Sequence, residues 1–195
     1  MAFSAVLDAC VLVPSVLRDV LIELDVMSVY RPVWSGRIEE EMEKAIFRIH
    51  ARRGKDEEES RSYVLRMRRQ MNRALPDARV SDWEDLLPAV PRMRDPNDKH
   101  VVAAALSGRA DVIVTFNLRD FEDGTLPGCL FSQSPDDFLL DLLDLYPDLV
   151  MTALGAVSSR SGRKGPKWTV EDVLDRLEHE GLKDFAAACR SDAAR

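Results

Sequence analysis

The sequence predicts an α/β fold: an α/β/α sandwich around a mostly parallel sheet, followed by a C-terminal helical extension. Three observations predict it. Two short apolar runs, residues 3–7 and 111–115, read as buried strands, and each leads directly into polar residues. Capped segments with apolar residues at helical spacing lie between and after them. Strands alternating with helices favour a parallel sheet, and such sheets carry their chemistry at the carboxyl ends of the strands.

The elements follow in order. The run FSAVL ends on Asp8. Pro14 stands where a helix would start, and Val16, Val20, Leu21 and Leu24 continue it to about Asp25. Ser35 caps a second helix with the stripe Ile38, Met42, Ala45, Ile46 and Ile49. Residues 55–59, KDEEE, read as a solvated helix start or loop. Val64, Met67, Met71 and Leu75 then face a core, with Arg66, Arg69 and Arg73 on the opposite face. Asp95 is placed as a cap, with Pro96 at the first helical position and Asp98 in the first turn. Val101, Val102, Ala105 and Leu106 form that helix's apolar face, and Gly108 is expected to end it. After the second strand come Thr115, Asn117 and Asp120. Ser134 opens the helix FLLDLLDLY, which Pro147 closes.

From there the pattern predicts a short helix over residues 148–157 and a mobile linker over 158–167, SSRSGRKGPK. Thr169 caps a further helix, with Asp172 three residues on and the stripe Val170, Val173, Leu174 and Leu177. Gly181 breaks it, and Leu182, Phe185, Ala186 and Cys189 start another stripe, giving a helical hairpin. Two short helices must bury those stripes against something.

At 195 residues the chain suits one compact domain plus an extension. No apolar run reaches membrane-spanning length, and the first residues have no basic segment and carry Asp8 within their apolar stretch. A cytoplasmic protein with no membrane partner is expected. Cys10, Cys129 and Cys189 lie far apart without metal-ligand spacing, so neither a disulfide framework nor a zinc site is expected. The net charge of -7 is uneven: residues 44–79 hold 11 Lys/Arg against 5 Asp/Glu. Basic charge is therefore concentrated around the arginine face, which becomes the candidate surface for nucleic-acid phosphates.

Four acidic positions stand out: Asp8, Glu40 or Glu41, Asp98 and Asp120. No histidine, cysteine or serine shares a recognisable catalytic setting with them. Carboxylates without nitrogen or sulfur ligands suit a hard divalent cation, Mg2+ or Mn2+, and phosphodiester hydrolysis is the natural reaction of such a site. Structural readings stand beside this. Asp95 is complete as a cap and Asp98 as an acid at a helix N-terminus. Glu39, Glu40, Glu41 and Glu43 read as solvated helix face, and His100 as structural. A carboxylate after a buried strand, as at Asp8, is costly without a partner.

VLDACVLVPSVLRDVLI resembles the opening of PIN-domain proteins, a strand ending in their first metal-binding Asp. WSGRIEEEM is similar to their second motif, a match that selects Glu41. DPNDKHVVAAAL resembles the third, with Asp98 at the acidic position. VIVTFNLRDF resembles the fourth, T-x-N-x-x-D-F, through Thr115, Asn117 and Asp120. The four stand in the family's order over roughly residues 3–146, and the run Pro14, Ser15, Leu17, Arg18, Asp19 is most similar to VapC-type toxins.

The resemblance implies a metal-dependent endoribonuclease that cleaves structured RNA and is held inactive by a cognate antitoxin. It implies Asp8 and Asp98 as direct metal ligands, with Glu41 and Asp120 completing the acidic pocket directly or through water. Asn117 would orient the pocket or the scissile phosphate, and Thr115 would support the loop. Arg18 would either reach phosphate or pair with Asp19. Residues 1–146 would form the PIN-like nuclease domain. Residues 147–195 would pack on it, touch RNA through Arg160, Arg163, Lys164 and Lys167, or belong to an antitoxin or homodimer surface. The chain departs from the family at Cys10, where an Asn is usual and whose amide hydrogen bonds a thiol does not reproduce. Competing functions are a PIN nuclease of RNA or DNA processing and a non-catalytic PIN binding domain. A receiver-like phosphoacceptor would need paired acids near the first strand and a late lysine, and neither is evident.

Overall fold

The computed structural model describes residues 3–122, 126–162 and 165–193. Strand β1 (Ser4–Leu7) is buried at every position. A single-turn helix α1 (Ala9–Leu12) follows, capped by Asp8, and then α2 (Ser15–Val26), for which Pro14 supplies the extended N-cap. The sequence pattern shows only the second of these helices, because four residues are too few to display a period.

Next come β2 (Arg31–Ser35), α3 (Gly36–Arg52), α4 (Glu57–Ala74) and β3 (Arg79–Val80). Ser35 accepts from the Ile38 amide, as its spacing predicts, and Asp56 caps α4. Two 3-10 turns, Glu84–Ala89 and Pro96–Asp98, lead into α5 (Lys99–Gly108) and β4 (Val112–Val114). A further 3-10 turn, Leu118–Asp120, precedes β5 (Phe131–Gln133). The chain closes with α6 (Pro135–Leu145), α7 (Pro147–Arg160), α8 (Val170–His179) and α9 (Lys183–Ala193).

The five strands form one parallel sheet in the order β3-β2-β1-β4-β5, flanked by helices. Its central strands β1 and β4 are buried throughout and apolar except for Ser4, as expected of a parallel sheet covered on both faces. Strand β2 carries Pro32, which argues against an interior strand. It is accommodated because the amides of β2 alternate in direction. Arg31 donates to Phe3 in the β1 direction, and Trp34 donates to Ala78 on the β3 side. The missing amide of Pro32 faces the β3 side before that ladder begins, since β3 pairs only with Trp34 and Ser35.

Two sequence expectations change. Gly108 does not end α5 by adopting a left-handed conformation; Arg109 does so, at φ 50°. Gly108 instead lets α5 approach β2, since a Cβ there would lie 2.5 Å from Val33 Cγ1, a fully buried atom group. Gly108→Ala is therefore expected to destabilise the protein by about 1–3 kcal/mol through overpacking, although alanine is the better helix former. Urea unfolding checks this: an unchanged or raised midpoint would show that the sheet tolerates the methyl group.

The second change concerns Glu39, expected on the solvated face with Glu40, Glu41 and Glu43. It is 1 % exposed. Trp34 Nε1 donates to its Oε1 at 3.2 Å, and the Nε atoms of Arg68 and Arg79 lie 3.7 Å from its Oε2. A buried carboxylate needs such partners, and all three come from segments separated from α3's face in sequence.

The C-terminal helices pack on the rest of the chain: α7 against α2, α8 against α7 and α2, and α9 against α6 and α8. Val173, Leu177, Leu182, Phe185, Ala186 and Cys189 are all fully buried and join the same apolar core as β1 and β4. Thr169 and Asp172 form a reciprocal capping box. The segment expected as a linker is shorter than its composition suggests, because α7 runs to Arg160. Ser158 Oγ then donates to the Trp168 carbonyl, and Ser161 Oγ accepts from the Trp168 amide at 2.7 Å.

Candidate active site

Register brings the site together. Leu7 of β1 is paired with Val114 of β4, so the residues that follow, Asp8 and Thr115, leave the sheet side by side. The Asp8 amide still donates to the Val114 carbonyl at 3.1 Å. The Asp8 carboxylate accepts from the Ala9 amide at 2.6 Å through Oδ1, and from Thr115 Oγ1 at 2.7 Å through Oδ2. The partly buried carboxylate is thus held by its own helix start and by the neighbouring strand.

Cys10 contributes more than the sequence comparison implied. Its Sγ donates to Asp8 Oδ2 at 3.1 Å, contacts Thr115 Oγ1 at 3.4 Å and accepts the Phe116 amide at 3.4 Å. Burial, with the Asp8 charge beside it, pushes the thiol's pKa up to about 12, so it stays a neutral donor. The thiol therefore supplies both a donor and an acceptor in this network, with weaker bonds than an amide would make.

Thr115 also accepts the Asn117 amide at 3.0 Å, and Asn117 Nδ2 donates to Asp120. Arg94 Nε lies 3.9 Å from the other oxygen of Asp120. The structure distinguishes the two glutamates. Glu40 is exposed and pairs with Arg37 and Lys44 on the outer face of α3. Glu41 is half-buried, with Arg37 Nε and His100 Nε2 each 3.1 Å from its Oε1.

Asp98 stands among all of these. Its carboxyl is pushed up to about 7, first by burial and then by the charges of Asp8, Asp95, Asp120 and Glu41. Like charges sharing a half-buried region disfavour ionisation unless a cation is present. Oxygen donors crowded in this way suit a hard divalent ion. Among the described residues, no three of His, Cys, Asp and Glu gather tightly enough to enclose an ion alone. A Mg2+ or Mn2+ held here would rest on one or two carboxylates, with water filling the remaining positions, which is how Mg2+ is usually bound. The oxygen-only donor set of Asp8, Asp98, Glu41 and Asp120 fits such an ion.

Other sequence candidates lie apart. Arg18 is 4 % exposed, its Nη1 donates to the Leu12 carbonyl at 2.8 Å, and its Nε lies 3.9 Å from Asp19. Of the two roles left open for it, the structure shows the local pairing; the reach to phosphate is not available from this position. Arg66, Arg69 and Arg73 are exposed on α4, opposite buried Val64, Met67 and Met71. Arg160 pairs with Glu23 while remaining exposed, and Lys167 is exposed; Arg163 and Lys164 fall outside the described residues.

Sequence reasoning missed His100 as a site neighbour. Its imidazole is buried, stands edge-on to Trp83, and is held below its ordinary pKa chiefly by burial. Its place two residues after Asp98 was a signal, but the direction in which that turn faces was not. Arg37 and Arg94 were missed for the same reason.

The sequence profile of the PIN domain matches residues 4–119. That of the VapC50 C-terminal domain matches residues 135–191, which cover α6 to α9. A curated relative, the putative ribonuclease VapC50 of Mycobacterium tuberculosis (strain ATCC 25618 / H37Rv), is 44% identical over 95 residues, 48% of this chain and 54% of that protein. The chain thus matches only about half the length of this relative. No solved structure matches. The PIN profile covers more than half of the chain and contains Asp8, Glu41 and Asp98, with Asp120 at its border. With the parallel sheet and the acids gathered at the ends of β1 and β4, it shows that the chain belongs to the PIN-domain family.

Proposed function

We propose that the protein is a Mg2+- or Mn2+-dependent endoribonuclease, the toxin of a VapBC-type pair, restrained in the cytoplasm by a cognate antitoxin. The observation that carries the metal-dependent chemistry is the placement of Asp8 and Thr115 side by side at the carboxyl ends of β1 and β4, where burial and the charges of Asp8, Asp95, Asp120 and Glu41 raise the pKa of the Asp98 carboxyl. Support for RNA as substrate comes from the relative named a putative ribonuclease and from the exposed arginines of α4.

In this reading Asp8 and Asp98 hold the ion, and Thr115 and Cys10 keep the Asp8 carboxylate oriented. Arg37 and His100 set the position of Glu41, and Asn117 sets that of Asp120, so these two acids act from the pocket's rim. The ion would supply Lewis-acid chemistry for phosphodiester hydrolysis. Residues 1–146 carry the nuclease site, and residues 147–195 support it.

Metal removal tests the reading. A generic single-stranded RNA should be cut by the purified protein in Mg2+ or Mn2+, not in excess EDTA, with activity returning when either ion is restored. Equal cleavage in EDTA would overturn metal dependence, and no cleavage by folded protein in either ion would overturn the nuclease reading. Co-purified antitoxin should suppress the activity.

The arginine face is tested separately. Replacing Arg66, Arg69 and Arg73 together with Gln should weaken RNA binding across sequences. It should also flatten the dependence of log K on log salt by about 2 units, since each phosphate contact contributes somewhat less than one. An unchanged slope would show that these arginines only solvate α4.

A further inference from the structure

Phe116 lies between two residues of the site, and its backbone is anchored on both sides. Its own amide donates to Cys10 Sγ at 3.4 Å, and that sulfur donates to Asp8 Oδ2 at 3.1 Å. The preceding residue, Thr115, is fully buried and donates to the same carboxylate oxygen at 2.7 Å. The following residue, Asn117, donates its amide back to Thr115 Oγ1 at 3.0 Å. The start of the Phe116 side chain is therefore fixed within two hydrogen bonds of Asp8.

The ring nevertheless stays 42 % exposed, whereas Phe121, five residues later in the same loop, is fully buried. The loop can deliver a phenylalanine to the core and does not do so here. Behind the ring stands the α8–α9 turn: a Cβ on Gly181 would lie 3.9 Å from Phe116 Cε1. Gly181 has φ +103°, a conformation of the turn that favours glycine. Single exposed hydrophobic residues are ordinary on protein surfaces. An aromatic ring with an anchored backbone beside a carboxylate cluster differs in having a defined place relative to the chemistry.

We infer that Phe116 is the stacking platform for the nucleobase next to the scissile phosphate, so the nucleotide that is cut must be unstacked from its neighbours. This rests on the nuclease reading above. Phosphate-directed groups carry no information about the base, whereas an aromatic face accepts any base, and truncating such a platform typically costs roughly 5- to 150-fold in affinity per base. The selection it imposes is for an unpaired, extrudable nucleotide rather than for a letter of sequence. The C-terminal helices take part through the turn that backs the ring.

The test compares Phe116→Ala, Phe116→Leu and Phe116→Trp in the full-length protein on a single-stranded oligoribonucleotide with Mg2+. Phe116→Ala should raise KM about tenfold or more while kcat changes little. Phe116→Trp should keep the parental KM, and Phe116→Leu, apolar but without a π face, should not. In an Asp98→Asn background, 2-aminopurine scanned along the oligoribonucleotide should be quenched at one position, and adding Phe116→Ala should abolish the quench. A parental KM for Phe116→Ala or Phe116→Leu, or a quench that survives Phe116→Ala, would overturn the inference; thermal melts confirm that each variant is folded. The two readings fail separately. A parent that cuts RNA regardless of residue 116 refutes only the stacking role, and a parent that quenches through Phe116 but never cuts refutes only the nuclease reading.

Discussion

Asp8→Asn and Asp98→Asn should each abolish RNA cleavage, by at least about a hundredfold, and relieve any growth arrest caused by expressing the protein. The magnitude follows from the place of the two carboxylates. Changing a group that merely orients a metal ligand typically costs 10–100-fold, and these two are proposed as the ligands themselves. Asn keeps the size and one acceptor oxygen, so Ala9 can still donate to position 8.

The same substitution at Asp98 should not weaken the metal-free fold. The Asp98 carboxyl is raised from 3.8 to about 7 by burial and by Asp8, Asp95, Asp120 and Glu41. A carboxyl whose folded pKa lies above its unfolded value binds more protons in the folded state, so stability is lost as pH rises from about 4 to about 7. In EDTA, Asp98→Asn should therefore melt no lower than the parent at pH 8, with any advantage shrinking toward pH 4. Mg2+ should raise the melting temperature of the parent and not that of the variant, because only the parent gains binding free energy in the folded state. Variants that cut as fast as the parent, with metal removed and restored as controls, would place the site elsewhere.

Phe185→Ala should destabilise the whole protein by about 3–5 kcal/mol, the usual cost of emptying a fully buried phenylalanine site. In a protein of this length that corresponds to a fall in melting temperature of roughly 6–20 °C. Phe185 lies on α9, its amide donates to Asp136 Oδ1 at 2.9 Å, and its ring joins the core that includes the central strands. Removing everything after Val157 would go further, exposing the surfaces of α2 and α6 that α8 and α9 cover. Such a truncated chain should aggregate or melt without cooperativity rather than retain cleavage of a generic RNA. A Phe185→Ala protein melting within a degree or two of the parent would show that the C-terminal helices add little to the core. The exposed neighbour Lys183→Ala serves as the control and should change stability by less than about 0.5 kcal/mol.

Local chemistry was enough to place much of this protein from its residues alone. Ser35, Asp95, Ser134 and Thr169 cap where their spacing says, because an N-cap needs only its own side chain and an amide two or three residues on. The runs around Ala5 and Ile113 are apolar on both faces, and the stripe Val64, Met67, Met71 has helical period, so strand and helix were legible. Asp8, Asp98 and Asp120 were legible as acidic positions, whereas spacing left Glu40 and Glu41 open and only the resemblance to PIN domains selected Glu41. Strands β2, β3 and β5 were not, since RPVWS contains Pro32, RV is only two residues and FSQ holds a single apolar residue, and strand pairing is a property of partners distant in sequence. Only the tertiary structure decided that Glu39 is buried under Trp34, Arg68 and Arg79, that Arg18 is turned inward to the Leu12 carbonyl, and that Gly108 serves contact with Val33. It also decided that Cys10 links Asp8 to Phe116 across 106 positions of chain. Some of these contacts are near in sequence, as Trp34 to Glu39 and Arg18 to Leu12, and others far, as Cys10 to Phe116, but in each the free energy depends on burial, which no single stretch of sequence specifies.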